Sequence, residues 1–65
     1  MLTHRFEGST ALARASYNPE TRQLDVQFTS GRTYIHEDVP PDVFEGLIAA
    51  QSAGSYYSQN IRGTY

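Results

Sequence analysis

Apolar residues alternate most regularly at Leu24, Val26 and Phe28, with Asp25, Gln27 and Thr29 between them. A period of two predicts a strand with one face buried and the other wet. Small and apolar residues run from Ala11 to Tyr17, interrupted by Arg14 and Ser16 on one parity, and predict an earlier strand. Between the two stands Asn18-Pro19-Glu20-Thr21. Proline presets φ for the second position of a turn, and asparagine just before it bonds its own backbone.

A third strand follows the reversal at Thr29-Ser30-Gly31-Arg32, and its register depends on the turn. A two-residue Ser30-Gly31 loop would put Thr33 and Ile35 on the face of Phe28 and Val26. A three-residue turn with Gly31 left-handed and a bulge reverses that parity. Phe28 then faces Arg32, Val26 faces Tyr34, Leu24 faces His36, and Ile35 is left outside. The tight turn needs positive φ at Ser30, which serine adopts poorly, whereas the bulged turn needs it only at Gly31. The bulged register is the one expected.

The spacing changes after Val39. Pro40 should be extended because Pro41 follows it, and Pro41 suits the first helical position, where a missing N–H costs nothing. Asp42 and Glu45 fall in the first turns, where the helix dipole favours acids. Val43, Phe44, Leu47, Ile48 and Ala50 form one apolar face at helical spacing. Gly46 shares that face, and its cost of about 1 kcal/mol predicts a close approach to the sheet. Gly54 is the expected C-cap, ending the helix near Ser52 or Ala53. Tyr57, Ile61 and Tyr65 then recur at every fourth residue, which predicts a short helical turn capped by Ser55 and stopped at Gly63.

The pattern therefore predicts an α+β domain over residues 11–65. Its parts are an antiparallel three-stranded β-meander, one α-helix packed on the Leu24/Val26/Phe28 face, and a short C-terminal helical turn closing one edge. Residues 1–10 are polar, contain Gly8-Ser9-Thr10, show no period, and read as a loose N-terminal arm. The expected core is Leu24, Val26, Phe28, Val43, Phe44, Leu47, Ile48, Tyr57 and Ile61.

Composition narrows the function classes. At 65 residues folding removes only about 60% of the unfolded chain's surface, so the stability margin is thin. There is no cysteine, which excludes disulfides and thiolate zinc sites and fits a reducing, cytoplasmic setting. His4 and His36 are not at a ligand spacing. No apolar run approaches the roughly 20 residues of a membrane span, and the start lacks the apolar core of a signal peptide. The net charge is −2, and all five basic residues are arginines, so no broad positive field exists.

Several stretches together resemble the KTSC domain, a short module that stands alone in bacteria and phages and also ends some lysyl-tRNA synthetases. They are Ser16-Tyr17-Asn18-Pro19-Glu20-Thr21, Leu24-Asp25-Val26-Gln27-Phe28 with Gly31 following, Tyr34-Ile35-His36, Val39-Pro40, Val43-Phe44, Leu47, Ser52-Ala53-Gly54-Ser55-Tyr56-Tyr57 and Asn60-Ile61-Arg62-Gly63-Thr64-Tyr65. The resemblance runs from about Ser9 to Tyr65, and its order and spacing carry it. It implies RNA binding as the usual suggestion for the family. The family's central Tyr-x-Tyr reads Tyr34-Ile35-His36 here. Its lysine-rich C-terminal stretch is uncharged at Ala53, Ser55, Ser58 and Thr64, leaving Arg62 as the basic residue.

The candidate binding surface comprises Tyr34, His36, Ile35, Arg14, Tyr56 and Arg62. Tyr34 and His36 share a strand face, as a stacking pair for unpaired bases would; the plainer reading packs both beneath the helix. Tyr56, Tyr57, Arg62 and Tyr65 mix aromatics with a cation; the plainer reading sends Tyr57, Ile61 and Tyr65 to the core and leaves Tyr56 and Arg62 as ordinary surface. An outward Ile35 suits a dimer or partner contact; the plainer reading is a lone exposed isoleucine that needs no explanation. Glu37, Asp38 and Asp42 near His36 are better read as helix partners than as a metal site. With no nucleophile elbow and no phosphate-cradling glycine loop, the expectation is a non-catalytic module without cofactor or metal. Its expected partner is a protein or a second copy, ranked ahead of RNA because the lysines are missing.

Overall fold

The computed structural model describes residues 2–65. Four strands, β1 (Leu2–Arg5), β2 (Leu12–Asn18), β3 (Gln23–Phe28) and β4 (Thr33–His36), form one antiparallel sheet in the order β1-β2-β3-β4. Two helices follow, α1 (Pro41–Ala49) and α2 (Ala53–Tyr56), and α2 runs directly into a π-helical turn at Tyr57–Ile61.

The meander expected from the sequence gains a strand. Leu2–Arg5 is paired residue for residue with β2, from Leu2 opposite Tyr17 to Arg5 opposite Arg14, so the segment read as a loose arm is an edge of the sheet. Its residues are exposed or half-buried on both faces, which removes the alternation that would have marked it. Main-chain bonding holds it in place.

The β2–β3 turn forms as its residues dictate. Asn18 Oδ1 accepts from the Glu20 N–H at 3.0 Å, and the Arg22 N–H reaches the Asn18 carbonyl at 2.7 Å. At the β3–β4 turn Gly31 has φ +98° and donates to the Phe28 carbonyl, while the Phe28 N–H donates to the Arg32 carbonyl. This is the bulged turn, and it sets Leu24 opposite His36 and Val26 opposite Tyr34.

Helix α1 begins at Pro41 as expected, with Pro40 extended (ψ 151°) and Asp42 in the first turn. It ends earlier than expected, at Ala49, with Ala50 extended. Gly54 is not its cap but lies inside α2, where a Cβ would approach Ala11 Cβ at 3.2 Å. The capping residue of α2 is Ser52 rather than Ser55: Ser52 Oγ accepts from the Ser55 N–H at 3.3 Å. Gly63, at φ +81°, ends the π turn as expected.

The core joins Leu12, Ala15 and Tyr17 of β2 and Leu24 and Val26 of β3 to Val39, Phe44, Leu47, Ala53, Tyr57 and Ile61. Phe28, Val43 and Ile48, expected in the core, are half-buried against it. Phe44 stacks on Tyr17, ring centroids 5.1 Å apart, so α1 leans toward β2, and the ring neighbours of Phe28 are Tyr34 and Tyr57. Tyr65 does not join Tyr57 and Ile61 inside; it is exposed. Gly46 makes room for a side chain from α2, not for the sheet: a Cβ there would collide with the Tyr56 hydroxyl.

Candidate functional site

The bulge at Gly31 gives Arg32, Tyr34 and His36 one parity, facing the helices. Opposite them stands the π turn, which supplies Tyr57, and Arg62 follows it. Between hairpin and turn lies a cleft of about 350 Å³ lined by Phe28, Arg32, Tyr34, His36, Tyr57 and Arg62. Four rings meet there edge to face: Tyr34 on Phe28 at 5.4 Å, Phe28 on Tyr57 at 5.2 Å and Tyr57 on His36 at 5.4 Å between centroids. Such contacts favour well-fixed ring positions.

The deep end of the cleft is closed by a defined hydrogen-bond chain. His36 Nδ1 lies 3.1 Å from the main-chain oxygen of Tyr65, and Nε2 lies 2.8 Å from the Tyr57 hydroxyl. A main-chain oxygen only accepts, so Nδ1 carries the proton; Nε2 of the neutral ring then accepts from the Tyr57 O–H. The phenol suits that role. Burial raises its pKa above the ordinary 10.0, Tyr34 adds to the effect and Arg62 opposes it, so Tyr57 stays protonated at neutral pH. Among the described residues no buried side-chain N or O lacks a partner.

The predicted residues separate. Tyr34, His36 and Arg62 come together in the cleft: His36 is buried, whereas Tyr34 is 43% exposed and does not pack wholly under a helix. Ile35 points away from the cleft and is 61% exposed. Arg14 lies on the open sheet face opposite Arg5, with the alternation that buries Ala15 and Tyr17 turning it away from the helices. Tyr56 is half-buried against Gly46, so it is neither an open stacking residue nor an ordinary surface one. Glu37, Asp38 and Asp42 are exposed while His36 faces inward, and the described residues contain no cluster of three such groups able to hold a metal.

Arg32 was missed, although the bulged register already put it on the parity of Tyr34 and His36. Phe28 and Tyr57 were read as core alone; they are also the walls of the cleft. A second depression of about 290 Å³, between the β1–β2 loop and the α1–α2 link, gathers none of the residues of the candidate binding surface. No helix among the described residues is long and apolar enough to cross a membrane.

The comparisons with known proteins agree with the resemblance. A protein of Tsukamurella paurometabola is 44% identical over 54 residues, covering 83% of this chain and 81% of that protein. A protein of Stutzerimonas stutzeri is 41% identical over 51 residues, covering 78% of this chain and 72% of that protein. A lysine–tRNA ligase of Nostoc punctiforme is 37% identical over 59 residues, covering 91% of this chain but 10% of the ligase. The crystal structure of a KTSC domain protein from Yersinia pestis superposes with a TM-score of 0.86 at 26% identity, covering 97% of this chain and 90% of that one. The family model described as the KTSC domain matches residues 8–65, and with most of its length so matched the chain belongs to the KTSC domain family.

Proposed function

We propose that the chain is a non-catalytic, cytoplasmic binding module whose aromatic cleft takes an unpaired RNA base, with Arg32 and Arg62 on the adjoining phosphates. The observation that carries this reading is the half-exposed Tyr34 ring, braced edge-on by Phe28 and flanked by the two arginines. Every base has a π face, so such a platform is tolerant of sequence, and each stacked base contributes about 1–3 kcal/mol. The cleft's volume falls in the range of small-ligand sites, roughly 300–1,000 Å³. A lysine–tRNA ligase among the relatives supports RNA as the partner class. The order of partners given by composition is thereby reversed: the lysines are absent, but two arginines flank the aromatic site. The absence of chemistry is supported by the commitment of both His36 nitrogens and by a phenol held in its protonated form.

Two phosphate contacts make a weak, salt-sensitive site. For single strands the slope of log K against log salt is about −0.7 per phosphate, or about −1.4 here. Fluorescence anisotropy with a labelled single-stranded RNA checks this. Tyr34→Ala should weaken binding about tenfold, Arg62→Ala should flatten the slope by about 0.7, and Arg14→Ala should change neither. No binding at low salt, or binding indifferent to Tyr34, would remove the reading.

A further inference from the structure

The sheet ends on one side at β4. The Phe28 N–H to Arg32 carbonyl bond fixes the pairing phase, so alternation gives Tyr34 and His36 the bonds to β3. The main-chain N–H and C=O groups of Thr33 and Ile35 therefore point off the edge. Edge strands are commonly blunted by lysine, proline or a bulge, and Thr33–His36 contains none of these. Of the large apolar side chains exposed among the described residues, Tyr34 and Ile35 lie on this strand and Tyr65 beside it. The two ends of the strand are opposite in charge. Arg32 precedes it, while Glu37 and Asp38 follow it and line a groove with Ile35, Thr64 and Tyr65.

We propose that two copies of this chain pair through β4, antiparallel about a twofold axis at Ile35, extending the sheet across both molecules. An axis normal to the sheet keeps the helices of both copies on one side, which requires residues of like parity to face one another. Centred on Ile35, the register sets Ile35 against itself, Thr33 against Glu37 of the second copy, Tyr34 against His36 and Arg32 against Asp38. The outward groups of Ile35 then bond reciprocally, and each Arg32 reaches the acidic groove of the other copy. Such an isologous contact satisfies each patch with itself. An axis on Tyr34 would oppose Arg32 to His36 and forgo both charge pairs. Tyr34 and Arg32 belong to both the pairing register and the RNA site, whereas Ile35 belongs to the pairing alone, so pairing is read on RNA-free protein and through Ile35.

A contact between such short strands falls well below the roughly 1,000 Å² of a stable interface, so the dimer is weak. Sedimentation of RNA-free protein from about 10 μM to about 1 mM should show the average mass rise from 7.3 kDa toward twice that value. Amide exchange at Thr33 and Ile35 should slow over the same range. Ile35→Lys, at an exposed position that leaves the core untouched, should hold the mass at 7.3 kDa throughout. Arg32→Asp should weaken pairing about tenfold, and Asp38→Arg added to it should restore pairing. A constant monomer mass overturns the proposal. So does a dimer that Ile35→Lys leaves intact, or a charge swap that fails to restore pairing.

Discussion

His36 shows how one parity assignment produces two different residues. The bulged turn puts Tyr34 and His36 on the helix side alike, and that much follows from Gly31 alone. Parity does not say how far the overlying turn reaches. His36 lies under Tyr57 and Tyr65, whereas Tyr34, nearer the hairpin, is left half-open. Burial above all, with Tyr34 adding and Arg62 opposing, favours the protonated Tyr57 phenol in the folded chain, and that gives stability a defined pH dependence. The unfolded chain releases the Tyr57 proton near 10.0 and the folded chain releases it at higher pH. The contribution is therefore complete below the unfolded value and is lost as pH rises past it through the folded one. Urea denaturation should show stability level up to about pH 9 and falling above about pH 10, with Tyr57→Phe less steep across that window. An equal slope in the variant would assign the linkage elsewhere. A second residue test concerns Tyr17, whose hydroxyl donates to the Val39 carbonyl at 2.5 Å in the core. Tyr17→Phe strands that carbonyl and should cost about 1–3 kcal/mol by the same measurement.

At the scale of elements, what was readable depended on whether the deciding interaction lay nearby in the sequence. The start of α1 was legible because Pro40, Pro41 and Asp42 act within one turn. Its end was not. Gly54 carries the usual mark of a C-cap, but Ser52 caps α2 and breaks the helix earlier, and Gly54 serves the close passage of Ala11. Gly46 misled in the same way, since the group that fills its space comes from Tyr56, ten positions on. This pair makes a sharp test. In the native background Gly46→Ala must push the Tyr56 ring aside, so it should destabilise despite alanine's better helix propensity. In a Tyr56→Ala background the obstruction is gone, and the same change should stabilise by about 0.5–1 kcal/mol. The reversal of sign, read as a coupling in a double-mutant cycle, is the diagnostic result. Gly46→Ala with one sign in both backgrounds would show that Tyr56 does not set the need for glycine.

For the whole molecule the least legible feature was the first strand, and the reason is physical. Sequence patterns report burial, and β1 buries none of its residues fully. It is nonetheless part of the body: the Cα radius of gyration is 10.4 Å, against about 10.7 Å expected for a compact chain of this length. The sheet is thus graded from an inner pair, β2 and β3, carrying Leu12, Ala15, Tyr17, Leu24 and Val26 in the core, to an outer strand held by main-chain bonds and by contacts such as Thr3 with Ser16. A domain this small has little stability to distribute, so that gradient should appear as a gradient of local opening. Amides bonded between β2 and β3 should exchange only through global unfolding, and their rates should rise as a core mutation such as Tyr17→Phe lowers stability. Those of Leu2–Arg5 should exchange through opening of β1 alone, faster and insensitive to Tyr17→Phe. If β1 amides were as protected as Leu24 and Val26, the strand would be cooperative with the core, and main-chain pairing without burial would hold an edge strand as firmly as a buried one.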